Sequence, residues 1–166
     1  MDPLDHDSLS RLLDVHGSAL VLYAQQLCDT PEDVVQEAFI RLMRQRPAPG
    51  NLVGWLYRVV RNEAVSTARR RGRRSRHETA AAHREVWFKP APDDALDAAA
   101  AVAALESLPA AEREVIVLRL WSELSFDEIA ELIGASTSTA HRRYEHGLKL
   151  LRENWSVVCP NPKSAP

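Results

Sequence analysis

The stretch LSFDEIAELIGASTSTAHRRYEHGLKLLRE, residues 124–153, decides the fold of the second half of the chain. Ser125 opens a Ser-x-x-Glu pattern, the spacing of a capping box, which predicts the start of a helix. Gly134 can take the left-handed conformation that ends this helix, and Ser136 or Thr137 can cap the next one. Two capped helices joined by a short turn that contains glycine are typical of a helix-turn-helix.

The second helix of this motif has a polar face that suits DNA. An apolar stripe that includes Tyr144 and Leu148 predicts its inner side and leaves hydroxyl and basic groups outside. A helical hairpin whose charged face is only solvated would show the same periodicity, but the caps, the turn and the basic face together favour DNA binding. The candidate DNA contacts on this helix are Thr137, Ser138, Thr139, His141, Arg142 and Arg143.

Apolar residues at three- and four-residue spacing predict further helices along the chain. They cover residues 8–27 and 31–45, a stretch from Asn51 into an arginine run, residues 94–107, and a helix that opens at Pro109. No strand-like alternation is visible. The fold class is therefore all-α, with two small helical domains at residues 8–77 and 95–155, a flexible linker at 78–94 and a disordered tail at 156–166. The apolar residues expected to form the core around the helix-turn-helix are Val115, Ile116, Leu118, Leu120 and Trp121.

Charge is distributed unevenly although the formal net charge of the 166 residues is only -2. Before Arg41 there are eight acidic residues and one arginine, whereas from Arg41 to Arg76 there are eleven arginines and one glutamate. Such asymmetry indicates two different partner surfaces within one domain.

The third predicted helix carries a second constellation that suits nucleic acid. It combines an aromatic ring for stacking, an amide for a base edge and arginines for phosphates. A basic run is often only a solvated tail, but this one continues a helix that already carries the other groups. The candidate DNA contacts here are Trp55, Arg58, Arg61, Asn62, Arg69, Arg70 and Arg73.

Two segments of the sequence resemble a known protein family. Residues 32–45, EDVVQEAFIRLMRQ, followed by GWLYRVVRNEAVSTARRRGRR at 54–74, resemble the amino-terminal conserved domain of bacterial RNA polymerase sigma factors. Residues 108–153 resemble their carboxy-terminal domain, and the short chain resembles the extracytoplasmic-function (ECF) group of the sigma-70 family. The resemblance covers most of residues 8–155, and the order and spacing of both blocks are more specific than a helix-turn-helix alone.

The resemblance implies a function and partners. An ECF sigma factor binds core RNA polymerase, directs it to promoter DNA and helps to open the duplex for transcription initiation, with no catalysis, cofactor or metal. The third helix would then read the melted minus-ten element, and the helix from Thr137 to Lys149 would read the double-stranded minus-thirty-five element. An anti-sigma factor is a further partner that the resemblance admits. The residues that match the polymerase-binding surface are Asp33, Gln36, Glu37 and Arg41.

The chain departs from the family pattern at two positions that bear on DNA preference and helix stability. Ser66 stands where the family often has aspartate after the Arg-Asn pair. Gly147 replaces a common alanine, which costs a helix about 1 kcal/mol by propensity.

Two other classes of function fit the sequence less well. A polymerase-independent helix-turn-helix transcriptional regulator would explain residues 124–153 but leaves the block at residues 32–76 unexplained. An enzyme acting on nucleic acid would need clustered carboxylates, metal-ligand spacing or a glycine-rich phosphate loop, and the sequence has none of these patterns. Cys28 and Cys159 form no ligand cluster. Because no apolar run reaches membrane-spanning length and no signal pattern opens the chain, we expect a cytoplasmic protein with no membrane insertion.

Overall fold

The computed structural model describes residues 5–75 and 103–158, with side chains within 5–72 and 103–154. These residues form α-helices joined by turns, and neither range contains a strand. They belong to two compact units, one on each side of the gap. The predicted all-α class with two helical units is confirmed. The predicted linker at 78–94 lies outside the described residues.

The first unit packs three helices: α1, His6–Gln25; α2, Pro31–Arg44; and α3, Leu52–Ser75. Each helix contacts the other two. Its core is built from apolar side chains on their facing sides, and the fully buried ones include Leu20, Tyr23, Leu42, Leu56, Tyr57 and Val60.

Side-chain caps fix where α1 and α3 begin. The Asp5 carboxylate accepts a hydrogen bond from the Ser8 amide at 2.9 Å. Hydrogen bonding from the Ser8 side chain, and then from this amide, lowers the pKa of Asp5. The helix therefore starts at His6, two residues before the predicted domain boundary at residue 8. At α3, the Asn51 side chain accepts from the Gly54 amide at 2.8 Å.

The second unit contains a helical turn at residues 103–106 and three helices: α4, Ala110–Trp121; α5, Phe126–Ile133; and α6, Thr137–Val158. The predicted capping box at Ser125 is present, and Gly134 ends α5 at a φ of 68°. The Ser136 hydroxyl accepts from the Thr139 amide at 3.1 Å and so caps α6. Because α6 continues to Val158, residues 156–158 are helical and not part of a disordered tail.

One prediction about the core of this unit was wrong. Leu120 is 53% exposed and Trp121 is 40% exposed, although Val115, Ile116 and Leu118 are buried as expected. On a helix, Val117 shares a face with residues 120 and 121, and Val117 is buried. The packing that covers this face therefore ends before the last turn of α4. Apolar periodicity indicates which face a helix buries but not how far its packing partner extends.

Candidate nucleic-acid interface

The exposed face of α3 brings together most of the first group of candidate DNA contacts. Trp55, Arg58 and Asn62 follow each other at three- and four-residue spacing, which places them on one side of the helix. Arg58 and Asn62 are exposed, and Trp55 is half-buried. The same side carries an open recess of about 320 Å³, lined by Arg61, Asn62, Val65, Ser66 and Arg69.

Core packing sets the rotation of α3 about its axis. One side of α3 is buried in the core of the first unit, through Leu56, Tyr57, Val60 and Ala64. Because these positions repeat with the helical period, the opposite side of α3 must face outward. The described residues that line the recess therefore lie on a helix whose orientation is fixed by the core.

The arginines in the run at the end of α3 differ in what they contact. Nη1 of Arg71 lies 2.7 Å from Oδ2 of Asp29, so this arginine ties α3 to the turn between α1 and α2. Nη1 of Arg70 lies 4.0 Å from Oε1 of Glu63, the outer limit of an ion pair. Arg69 lines the recess. The side chain of Arg73 lies outside the described part of the chain.

The predicted polymerase-binding residues lie on α2. Asp33 and Gln36 are exposed. Glu37 and Arg41 are held together by a 2.9 Å contact, and a second 2.9 Å contact joins Arg41 to Glu63 on α3. The hydrogen bond that Arg41 donates to Glu37 raises the pKa of Arg41. Half of this candidate surface is therefore an ordered ion network and half is open.

Glu63 is a residue whose role sequence reasoning missed. Its carboxylate lies between Arg41 of α2 and Arg70 of α3, and its side chain is only 19% exposed. The signal was its isolation as the one acidic residue among eleven arginines. Its partner could not be inferred because Arg41 lies 22 positions earlier.

The candidate contacts at the start of α6 differ in the hydrogen bonds that their hydroxyl groups make. The Thr137 hydroxyl donates to Oδ1 of Asp127 on α5 at 2.6 Å. The Ser136 hydroxyl donates to Oγ1 of Thr139 at 2.9 Å, which engages the half-buried Thr139 within the cap. Ser138 is exposed.

The basic candidates follow one helical turn later. His141 and Arg142 are exposed, whereas Arg143 is half-buried. Nδ1 of His141 lies 3.5 Å from Oε1 of Glu145 on the same helix. Ser138, His141 and Arg142 share one face of α6 by their spacing, with Arg143 beside it.

Phe126 joins all three helices of this unit and was not recognised as a site residue from sequence. Its ring centroid lies 4.8 Å from that of His141 and 5.4 Å from that of Tyr144, both on α6. The Arg119 guanidinium of α4 lies 5.0 Å from the same ring and donates to the Leu124 carbonyl at 2.8 Å. This cluster fixes the position of His141 relative to α5.

Within residues 5–75 and 103–158, no helix is both long enough and apolar enough to cross a membrane. Over the same ranges, no group of three His, Cys, Asp or Glu side chains could hold a metal ion.

Comparison with known families identifies both units. Residues 12–74 match the family model described as Sigma-70 region 2, and residues 98–151 match Sigma-70, region 4. The first match contains the recess and all but the last residue of α3, and the second contains most of the helix-turn-helix.

Individual relatives agree with the family models. The chain is 35% identical over 129 residues to the ECF RNA polymerase sigma factor SigE of Mycolicibacterium smegmatis, covering 74% of this chain but only 50% of that relative. It is 35% identical over 136 residues to the RNA polymerase sigma factor CarQ of Myxococcus xanthus, covering 74% of this chain and 72% of that relative.

A solved structure is also similar. It is the sigma factor RpoE in complex with the anti-sigma factor NepR from Bartonella quintana, with a TM-score of 0.74 and 29% sequence identity over 92% of this chain and 99% of that one. Two family models, similar sequences and a similar fold lead to one conclusion. The chain belongs to the sigma-70 family of RNA polymerase sigma factors and, within it, to the extracytoplasmic-function group.

Proposed function

We propose that this chain binds core RNA polymerase, directs it to promoter DNA and helps to open the duplex at the start of transcription. The observation that carries the proposal is the recess on α3, where two arginines, an amide and a hydroxyl group meet beside the exposed Arg58 and the half-buried Trp55. Membership of the ECF group supports it. The contribution is binding energy, and the chain performs no bond chemistry.

At the minus-ten element, α3 captures bases that have left the duplex. Unpairing and unstacking a base costs a few kcal/mol, and binding the exposed base offsets this cost. The Asn62 amide offers both a donor and an acceptor to a base edge, and Trp55 offers a stacking surface. Arg61 and Arg69 supply positive charge at the recess for the neighbouring phosphates.

Ser66 makes the recess less repulsive to the phosphates of DNA than an aspartate, the residue that the family often has at this position. A carboxylate at this position would add negative charge to the recess wall, close to the DNA backbone. The serine hydroxyl is neutral and can both donate and accept a hydrogen bond. We therefore expect serine at this position to allow tighter DNA binding than aspartate would.

At the minus-thirty-five element, α6 enters the major groove with its amino-terminal half. This is the usual geometry of the second helix of a helix-turn-helix. Ser138, His141 and Arg142 face the base edges, and Arg143 lies beside them toward the backbone. Because the two units belong to one chain, binding of one makes binding of the other effectively intramolecular.

The polymerase contacts the acidic side of α2 through Asp33 and Gln36, next to the Glu37–Arg41 network. These two residues are exposed, and the preceding segment of the chain is rich in acidic groups. A basic partner surface would complement them.

The protein acts in the cytoplasm, where the polymerase is. An anti-sigma factor is a further proposed partner, because the similar RpoE was solved bound to NepR.

The test is run-off transcription on a genomic DNA library with core polymerase, in the presence and absence of the full chain. We expect discrete, chain-dependent transcripts whose upstream sequences share two elements. A chain that fails to bind core polymerase in titration, yet selects DNA by itself, would instead be a polymerase-independent regulator. A chain that does neither would refute the proposal.

A further inference from the structure

The first residue of α6 is locked to α5 by a short side-chain hydrogen bond. Oγ1 of Thr137 lies 2.6 Å from Oδ1 of Asp127, and both residues are exposed. A threonine hydroxyl has one proton and two lone pairs, whereas a carboxylate only accepts hydrogen bonds. The Thr137 proton is therefore directed at Asp127. Toward any other partner, Oγ1 of Thr137 can only accept a hydrogen bond.

The neighbouring hydroxyl groups are arranged differently. The Ser136 hydroxyl accepts from the Thr139 amide and donates to Oγ1 of Thr139, so it serves the helix cap. Ser138 is exposed, and its hydroxyl makes no hydrogen bond to another residue in the part of the chain that the structure describes. Thr137 thus combines surface exposure with a fixed hydrogen-bond polarity, whereas a freely rotating hydroxyl can either donate or accept.

Hydrogen-bond polarity matters in the major groove. Each base pair there has its amino group on one strand, either N6 of adenine or N4 of cytosine. The opposite base of the pair presents acceptors only, on guanine or thymine. A contact that can only accept therefore distinguishes adenine or cytosine from guanine or thymine on the strand it faces.

We infer that Thr137 is a specificity-determining residue that selects an amino-bearing base on the contacted strand of the minus-thirty-five element, and that Asp127 is the positioning residue that gives it this preference. The inference rests on the proposed function, because it requires the amino-terminal residues of α6 to lie against base edges. Asp127 also places a negative charge close to the DNA backbone, which lowers affinity for every sequence alike.

The experiment measures binding of the full chain, assembled with core polymerase, to duplex DNA randomised across the minus-thirty-five element. The wild-type chain should prefer adenine or cytosine at one position by about fivefold, the ratio that one net hydrogen bond of ordinary strength provides. Asp127→Ala frees the hydroxyl proton, so it should remove that preference while raising affinity for all sequences.

Two matched variants separate the hydrogen bond from the charge. Asp127→Asn keeps an acceptor oxygen for Thr137 but removes the charge, so it should raise affinity and retain the preference. Thr137→Val removes the hydroxyl while keeping the branched shape, so it should abolish the preference. In the Thr137→Val background, Asp127→Ala should change overall affinity only.

Retention of the wild-type preference by Thr137→Val or by Asp127→Ala would overturn the inference. The two levels of failure are distinguishable. Selection at other positions, with none that depends on Thr137, would refute this inference alone, whereas failure of the wild-type chain to select any sequence would refute the proposed function as well. Amide exchange of α5 and α6 in each variant verifies that the helix-turn-helix is folded. A variant whose motif has unfolded is excluded from the comparison of base preferences.

Discussion

Ile116 on α4 approaches Gly147 on α6 so closely that a Cβ atom at position 147 would lie 2.9 Å from its Cδ1 atom. The Cβ atom of Glu112 would lie 3.3 Å away. One residue earlier on α6, Nδ1 of His146 lies 3.0 Å from Oε1 of Glu112. The glycine therefore lets the two helices pack at close range, which accounts for a residue that helix propensity alone disfavours.

We expect Gly147→Ala to destabilise the second unit by about 1 kcal/mol. Alanine gains about 1 kcal/mol of helix propensity, but overpacking a well-filled contact costs about 1–3 kcal/mol. Ile116 is fully buried and has little room to move. The measurement is urea unfolding together with amide exchange of α4 and α6.

The matched control for this prediction is the double variant Ile116→Val with Gly147→Ala. Valine lacks the Cδ1 atom. The double variant should therefore lose less free energy of unfolding than the sum of the losses in the two single variants. Equal or increased stability of Gly147→Ala alone would show that the close approach is not a constraint.

Arg142 and Arg143 should have different roles in DNA binding. Arg142 is exposed on the face expected to meet the bases, so Arg142→Ala should cost about 1–3 kcal/mol at one minus-thirty-five position and relax preference there. Arg143 lies beside this face, so Arg143→Ala should weaken all sequences alike and lower the salt slope by about one unit. Binding to a randomised minus-thirty-five library at two salt concentrations measures both. A shift in base preference with Arg143→Ala and uniform weakening with Arg142→Ala would reverse the assignment.

Charge reversal on α2 should weaken binding to core polymerase. Asp33→Arg changes an exposed carboxylate without any described ion pair, so it should lower affinity for core while leaving the first unit folded. Glu37→Arg should also break the contact with Arg41, and the combined variant should bind more weakly than Asp33→Arg. Titration of core polymerase with each variant provides the measurement.

The control for the polymerase surface is Asp14→Arg, which reverses an exposed charge on α1. It changes net charge by the same amount as Asp33→Arg but on a different helix. Equal loss of core affinity in the two variants would indicate a general electrostatic effect and not a specific surface.

Removing the Tyr57 hydroxyl should leave the first unit as stable as before, or stabilise it by about 1 kcal/mol. Tyr57 is 1% exposed, and its hydroxyl has no hydrogen-bond partner among the described residues. Burial raises the pKa of this tyrosine. Tyr57→Phe keeps the ring and its contact with Tyr23. Urea unfolding checks this, and a loss of more than about 1 kcal/mol would reveal a partner for the hydroxyl.

Local signals made much of the fold predictable. The capping box at Ser125 and the left-handed Gly134 act through neighbours only a few residues away, and both were found where the sequence placed them. The failures needed information from distant residues. Nothing near Trp121 in sequence shows that its face is left uncovered.

The candidate sites follow the same rule. The sequence placed Arg58 and Asn62 on one helix, and their four-residue spacing alone puts them on one side of it. The Arg41–Glu63 contact joins two helices and the Thr137–Asp127 bond joins two others, so neither could be found from spacing within one helix. Sequence identified the residue types at each site, and tertiary packing determined which of them are already engaged by the protein.

The most direct test of the central proposal is permanganate footprinting of a promoter obtained from the run-off library. Thymines in the minus-ten element should become reactive when core polymerase and the wild-type chain are both present. Asn62→Ala and Trp55→Ala should bind core normally but lower this reactivity by at least about fivefold, because each loses a contact to an unpaired base. Asp14→Ala, exposed on α1, should behave as the wild type does. Full thymine reactivity with both α3 variants would contradict the account.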